Sequence, residues 1–130
     1  MDKTDFKQVV CIEDDPEMIE LIRLILSRRS VQVHGAAGGE KGLEMVREKH
    51  PDLVLLDLMM PDMDGWEVYQ QMKSDESIRN IPVIVVTAKA QSIDKVLGLH
   101  IAKVDDYIAK PFSPQELLDS VEKVLGKKHS

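Results

Sequence analysis

A regular alternation between short apolar runs and longer amphipathic segments constrains the fold of this chain more than any other feature. The pattern predicts five strands, at residues 8–12, 31–35, 53–57, 83–86 and 105–109, and five helices, from about residue 16 and at 39–49, 65–74, 92–103 and 113–127. This order is typical of parallel β-α units. Because the central strands are apolar on both faces, we expect helices on both sides of one sheet. The predicted fold class is α/β, with a doubly wound five-stranded parallel sheet.

The length and the charge of the chain limit its domain number and its ligands. The chain has 130 residues, of which 43% are hydrophobic and 31% are charged. This is the size of one ordinary globular domain, so we expect a single domain over residues 1–130 with its core at about 8–127. The net charge of −6 argues against non-specific binding of nucleic acid.

The cysteine content and the length of the apolar runs bear on the cellular compartment. Cys11 is the only cysteine of the sequence, so it has no partner for an intramolecular disulfide. The apolar runs are much shorter than the ~20 residues that a membrane span needs, and the amino terminus lacks a hydrophobic signal core. These features predict a cytoplasmic protein that does not associate with a membrane.

Polar side chains stand at the ends of four of the five predicted strands. They are Glu13, Asp14 and Asp15 after the first strand, Asp57 at the end of the third, Thr87 after the fourth and Lys110 after the fifth. Taken singly, these residues could be helix caps, turn residues and a solvated lysine. Taken together they predict a site, because open α/β sheets bind their ligands at the carboxyl ends of the strands.

The residue types at this edge indicate metal and phosphoryl chemistry. Carboxylates that converge repel one another unless a cation lies between them, and Mg²⁺ is commonly held by one or two carboxylates, waters and a phosphate oxygen. Lys110 supplies a fixed cation that could hold another anion or pair with Asp57. A carboxylate that faces a metal and a lysine can attack phosphorus and form an acyl phosphate. Asp57 is the predicted nucleophile.

Four segments of the sequence resemble a known family. They read CIEDDP, LVLLDLMMPDMDGWE, PVIVVTAKA and DDYIAKPFSPQEL, with Asp57 43 positions after Asp14 and Lys110 53 positions after Asp57. In order and spacing they resemble the receiver domain of two-component response regulators, and the resemblance covers essentially the whole chain. It implies a flavodoxin-like sheet with strand order 2-1-3-4-5.

The resemblance also implies which residues hold a metal. Asp14 corresponds to a direct Mg²⁺ ligand, and Glu13 to an acid that reaches the metal through water. Asp57 corresponds to the phosphoacceptor and to a further ligand, and Met59 to the position whose backbone carbonyl completes the metal shell. Asp15 is expected to support the start of the first helix instead of binding metal directly.

The resemblance assigns the phosphoryl group and the conformational switch to other residues. Thr87 matches the hydroxyl that moves to the phosphoryl group, and Lys110 matches the cation that neutralises another phosphoryl oxygen. Tyr107 matches the aromatic residue that turns inward once Thr87 has moved. The Lys110-Pro111 bond is expected to be cis, as in the family.

Two positions beside the site are expected to modulate rates. The residue two after Asp57 is apolar Met59, and the residue two after Thr87 is basic Lys89. Neither is a catalytic group, but hydrolysis of an aspartyl phosphate depends on how a water is oriented beside the phosphorus. We expect Met59 and Lys89 to lengthen the lifetime of the phosphorylated form.

The function implied by the resemblance is signalling. The domain would accept a phosphoryl group from a histidine kinase or a phosphotransfer protein, with its own phosphorylation and dephosphorylation chemistry, and would switch conformation to control a downstream protein. The resemblance implies no direct binding of nucleic acid by this domain, and it leaves a homodimer formed on phosphorylation open. The alternatives are a Mg²⁺-dependent aspartyl-phosphate phosphatase and a degenerate receiver that serves only as a binding scaffold.

Overall fold

The structure, a computed structural model, describes residues 6–61, 63–88 and 104–127. In chain order, these residues form β1 (Lys7–Ile12), α1 (Pro16–Leu26), β2 (Val31–Ala36), α2 (Gly39–Lys49), β3 (Leu53–Leu56), α3 (Gly65–Ser74), β4 (Val83–Ala88), β5 (Asp106–Lys110) and α4 (Pro114–Lys127). A short 3-10 helix at Ser27–Arg29 follows α1. Within these ranges, no helix has the length and apolar character that a bilayer crossing requires.

The five strands form one parallel sheet in the order β2-β1-β3-β4-β5. This confirms the predicted α/β class and the strand order 2-1-3-4-5. The described residues contain four of the five predicted α-helices. The remaining predicted helix, at 92–103, lies outside the described residues.

Side chains of the central strands pack on both faces of the sheet. In β1, Val9 and Cys11 belong to a cluster that includes Ile22 of α1 and Leu117 of α4. Val10 and Ile12 of the same strand belong to a second cluster, whose helical members are Leu43 and Val46 of α2 with Val68 and Met72 of α3. Because successive side chains of a strand point to opposite faces, α1 and α4 cover one face and α2 and α3 cover the other.

The helices that follow β1 and β3 start at aspartate caps. Asp15 accepts a hydrogen bond from Glu17 N at 2.9 Å, and Pro16 occupies the first helical position of α1. Asp64 accepts one from Trp66 N at 2.9 Å at the start of α3. Such caps satisfy amide groups that the helix itself leaves unpaired.

The bounds of all five strands differ from the prediction by one or two residues, and the differences in β3 and β5 bear on the site. β3 ends at Leu56, so Asp57 is the first residue beyond the strand, although Asp57 N still donates to Ile12 O at 3.0 Å. β5 runs from Asp106 to Lys110, and Asp105, which precedes the strand, accepts a hydrogen bond from Val83 N at 2.8 Å through its carboxylate. Lys110 is therefore the last residue of a strand and is held by the sheet.

Candidate functional site

The carboxyl ends of β1, β3, β4 and β5 bring the predicted site residues to one edge of the sheet. Ile12 pairs with Leu56 across β1 and β3, and Thr87 pairs with Ala109 across β4 and β5. The residues that come next along these strands therefore meet at the same level. We call Glu13, Asp14 and Asp57, together with Lys110, the acidic rim.

The three acids of the acidic rim are close enough to share one cation. Glu13, Asp14 and Asp57 each offer a carboxylate oxygen, and these oxygens lie within 4.8 Å of one another. Glu13 is 3% exposed and Asp57 is 5% exposed, whereas Asp14 faces solvent. Burial, reinforced by the nearby charge of Asp57, raises the pKa of Glu13 to about 7, although its hydrogen bond to Lys110 acts in the opposite direction.

Lys110 provides the positive charge of the acidic rim. Its Nζ atom donates to Glu13 Oε2 at 2.6 Å and lies 3.6 Å from Asp57 Oδ2. Burial alone would lower the pKa of the Lys110 ammonium, but the hydrogen bond to Glu13 and the charge of Asp57 outweigh it and raise this pKa. The Lys110-Pro111 bond is cis, as predicted. One ammonium thus faces several carboxylates, and the acidic rim holds excess negative charge.

Thr87 and Tyr107 lie on the neighbouring strands. Thr87 is fully buried, and its Oγ1 atom finds no hydrogen-bond partner among the residues that the structure describes. A buried hydroxyl without a partner is uncommon and is often found at functional sites. Tyr107 is half-buried and packs with Val104 and Trp66 against Leu58 and Val85. This small apolar cluster joins the residue after Asp57 to β4, β5 and α3.

The structure describes one of the two residues that are expected to modulate rates. Met59 N donates a hydrogen bond to Asp57 Oδ1 at 3.0 Å, and the Met59 side chain is 55% exposed. The structure therefore places Met59 beside the carboxylate of Asp57. Lys89 lies outside the described residues.

Gly65 supports the site in a way that the sequence analysis missed. A Cβ atom at this position would lie 2.5 Å from Asp57 O and 2.5 Å from Leu58 Cα, so only glycine lets the start of α3 approach this backbone so closely. Gly65 N also donates to Leu58 O at 3.1 Å. The signal in the sequence was a glycine directly after the capping Asp64, at a point where a helix start does not itself require glycine.

Asp15 contacts the acidic rim through its backbone and not through its carboxylate. Its carboxylate caps α1, as expected, and its backbone N donates to Glu13 Oε1 at 3.3 Å. This bond and the bond from Lys110 engage both oxygens of Glu13. Glu13 is thereby fixed in place at the end of β1.

Comparison with known proteins identifies the family. The family model described as response regulator receiver domain matches residues 9–122. The DNA-binding response regulator MtrA of Mycolicibacterium smegmatis is 37% identical over 121 residues, which are 93% of this chain and 51% of that protein. The alkaline phosphatase synthesis transcriptional regulatory protein PhoP of Bacillus subtilis is 36% identical over 93% of this chain and 49% of its own length. The chain thus spans about half the length of these curated relatives.

Solved structures show the same architecture. A CheY-like response regulator receiver domain protein from Methanospirillum hungatei superposes with a TM-score of 0.84 at 27% identity, over 96% of this chain and 98% of that one. The receiver domain of the sensor histidine kinase PA1611 from Pseudomonas aeruginosa, solved with a magnesium ion coordinated in its active site cleft, gives a TM-score of 0.83 at 27% identity, over 93% and 98%. The strand order, the acidic rim and the family match lead to one conclusion: this chain belongs to the response regulator receiver domain family of two-component signalling.

Proposed function

We propose that Asp57 accepts a phosphoryl group in a Mg²⁺-dependent reaction and that the resulting change controls a partner protein. One observation carries the proposal: a buried aspartate faces a lysine and two further acids, while the neighbouring strand presents a buried hydroxyl that has no hydrogen-bond partner among the described residues. A phosphoryl group on Asp57 would bring oxygens that both Lys110 and Thr87 can bind.

The donor set of the acidic rim fits Mg²⁺. The ion prefers oxygen ligands and is commonly bound by one or two carboxylates with waters and phosphate oxygens. The carboxylates of Glu13, Asp14 and Asp57 supply such oxygens within 4.8 Å of one another, and the backbone carbonyl of Met59 would add a fourth. When bound, the ion would neutralise charge that develops on the phosphoryl oxygens. The structure of the PA1611 receiver domain, with its coordinated magnesium ion, supports the same assignment.

The residues of this chain would divide the transfer step among them. A carboxylate oxygen of Asp57 forms a bond to phosphorus, while the bond from phosphorus to the donor nitrogen or oxygen breaks and its electron pair leaves with the donor. Asp57 is already held by Met59 N at 3.0 Å and by the end of β3, so little freedom is lost in positioning it. Lys110, at 3.6 Å from Asp57 Oδ2, would bind a phosphoryl oxygen.

A switch would follow from the new contacts of Thr87. Its hydroxyl would gain the hydrogen-bond partner that it lacks among the described residues, and this gain favours movement toward the phosphoryl group. Tyr107, packed beside Leu58 and Val85, would turn inward into the space that Thr87 leaves. Such a paired movement supplies the two-state element that a switch requires.

The further parts of the proposal concern rates, partners and place. Met59 and Lys89 would lengthen the phosphorylated state, because Met59 cannot orient a hydrolytic water well and Lys89 could lie over the phosphoryl group as a cation. A histidine kinase or phosphotransfer protein would be the donor and a downstream protein would be the target. A homodimer would be one form of the phosphorylated state.

We propose that this chemistry belongs to one receiver domain over residues 1–130, with its core at about 8–127, and that it acts in the cytoplasm. Self-phosphorylation from a small donor would need only the acidic rim, Thr87 and Mg²⁺.

The test is phosphorylation without a kinase. The purified protein is incubated with acetyl phosphate, with Mg²⁺ or with a chelator, and its intact mass is measured. We expect the addition of one phosphoryl group in the presence of Mg²⁺ and a large loss of labelling with the chelator. Asp57→Asn should take up no label, because an amide is a poor nucleophile.

The matched control is Asp75→Asn, which removes an aspartate far from the acidic rim and should label like the wild type. Full labelling of Asp57→Asn would show that another residue is the acceptor. A failure of the wild type to label under any of these conditions would favour the scaffold alternative.

A further inference from the structure

Two adjacent methionines follow Asp57 and lie in different environments. The Met59 side chain is 55% exposed, whereas Met60 is 8% exposed and packs into the core cluster beneath α2 and α3. Met72 of α3 is fully buried. Among the methionines that the structure describes, Met59 is the most exposed. Because oxidants reach exposed methionines first, Met59 is expected to be oxidised more readily than Met60.

The exposed Met59 is bonded to the site through its backbone. Met59 N donates to Asp57 Oδ1 at 3.0 Å, so the backbone of Met59 is fixed against the carboxylate that we propose to be phosphorylated. Asp57 itself is 5% exposed, whereas Met59, two residues later in the chain, is 55% exposed. A change in the polarity of the Met59 side chain would therefore alter the entrance of the acidic rim without disturbing the core.

We propose that hydrogen peroxide oxidises Met59, that a methionine sulfoxide reductase reverses this oxidation, and that the sulfoxide shortens the lifetime of phosphorylated Asp57. The second half of this inference rests on the proposed function. In the oxidation step, a sulfur lone pair attacks one peroxide oxygen, a sulfur-oxygen bond forms and the oxygen-oxygen bond breaks. The displaced hydroxide takes the proton from the transferred oxygen and leaves as water, so the sulfur is oxidised by two electrons and the peroxide is reduced.

The sulfoxide changes what Met59 can do beside the phosphoryl group. A thioether is a weak hydrogen-bond acceptor, whereas the oxidised side chain is polar and its oxygen accepts hydrogen bonds readily. Hydrolysis of an aspartyl phosphate needs a water in line with the phosphorus, and a polar acceptor at the entrance can hold such a water. Oxidation would thus convert a position that excludes oriented water into one that recruits it.

The first experiment measures the oxidation itself on the unphosphorylated protein without Mg²⁺. The folded protein is treated briefly with hydrogen peroxide, quenched, digested and analysed by tandem mass spectrometry for sulfoxide at each methionine. We expect Met59 to be oxidised about tenfold faster than Met60 or Met72, with the difference lost in urea. Oxidation of Met59 at the same rate as Met60 in the folded protein would overturn the proposal.

The second experiment measures the consequence and uses Met59→Leu, which has no sulfur, as the matched variant. Each protein is oxidised or left untreated, labelled with acetyl phosphate and Mg²⁺, freed of donor and followed by intact mass. We expect label to be lost at least about threefold faster after oxidation of the wild type, a change of about 0.7 kcal/mol in barrier. Treatment with a methionine sulfoxide reductase should restore the slow loss.

The outcomes separate the two proposals. Oxidised and untreated wild type losing label at the same rate would contradict the regulatory inference, and so would an equal acceleration in Met59→Leu. A protein that takes up no label would contradict the proposed function, while the oxidation of Met59 would still be decided by the first experiment.

Discussion

The acidic rim and the turn at Asp75 both hold carboxylates, but their surroundings shift the pKa values of Glu13 and Asp75 in opposite directions. Burial and the charge of Asp57 raise the pKa of Glu13 to about 7. At the turn between α3 and β4, Asp75 accepts hydrogen bonds from the amide and the hydroxyl of Ser77 and from Arg47. These bonds, those of Ser77 first, lower the pKa of Asp75 to about 2.

The difference shows what distinguishes a structural acid from a site acid in this protein. The partners of Asp75 satisfy its charge locally, so this carboxylate stabilises the turn and has little to offer a ligand. The acids of the rim share one ammonium, and two of them are removed from water. Carboxylates in such a setting gain from the arrival of a cation. Without a bound ion, the repulsion among these carboxylates lowers the stability of the folded protein. A bound cation would relieve it.

The largest expected effect comes from removing the shared ammonium. Lys110→Ala leaves Glu13 and Asp57 buried without their counter-charge, and we expect the free energy of unfolding to fall by about 2–3 kcal/mol. Arg47→Ala removes the cation beside Asp75, in a pair whose arginine is 45% exposed. Exposed pairs contribute little, so this variant should be close to the wild type. Urea unfolding at pH 7 without Mg²⁺ measures both, and equal losses would contradict the distinction between the two regions.

A smaller effect is expected from the glycine that supports the rim. Gly65→Ala would place a methyl group 2.5 Å from the backbone of Asp57 and Leu58. Since backbone cannot move as a flexible side chain does, we expect a loss of about 1–2 kcal/mol and weaker labelling of Asp57. Gly126→Ala is the control, because nothing lies within 4 Å of a Cβ there and alanine favours the helix. Thermal unfolding of the two variants should shift in opposite directions, and a neutral Gly65→Ala would show that the contact is not tight.

The smallest expected effect on the free energy of unfolding comes from removing the charge of one acid of the rim. Asp57→Asn removes one of three neighbouring carboxylates, two of which are buried, and loses only the 3.6 Å contact with Lys110. Relief of repulsion and of burial should raise the free energy of unfolding by about 1 kcal/mol without Mg²⁺. Asp75→Asn should lower it, because that charge is well satisfied. A destabilised Asp57→Asn variant that still folds would mean that the rim is not repulsive.

Much of this fold could be predicted from the sequence, because apolar periodicity and strand ends are local features. The runs around Val10 and Val54 predicted parallel strands, and the residues that follow these strands predicted the acidic rim. The pairing of Lys110 with Glu13, at 2.6 Å, in preference to Asp57, at 3.6 Å, could not be predicted. It depends on a difference of about one ångström between side chains that are far apart in the sequence.

The role of Gly65 was missed for a related reason. Its function depends on the approach of a helix start to the backbone of Asp57 and Leu58, which is a three-dimensional contact and has no periodic signal. That the hydroxyl of Thr87 has no partner within residues 6–61, 63–88 and 104–127 is likewise visible only in three dimensions. The sequence therefore predicts which residues reach the site, and the structure is needed to see how they are held.

The measurement that tests the central claim most directly is the chemical identification of the phosphorylated residue. The protein is labelled with acetyl phosphate and Mg²⁺ and treated with borohydride, which reduces an acyl phosphate to an alcohol and so converts the modified aspartate to homoserine. Tandem mass spectrometry then locates the converted residue. We predict homoserine at position 57 and unchanged aspartate at positions 14 and 75. Conversion at either of those positions, or labelled protein with no conversion at position 57, would contradict the assignment of Asp57 as the phosphoacceptor.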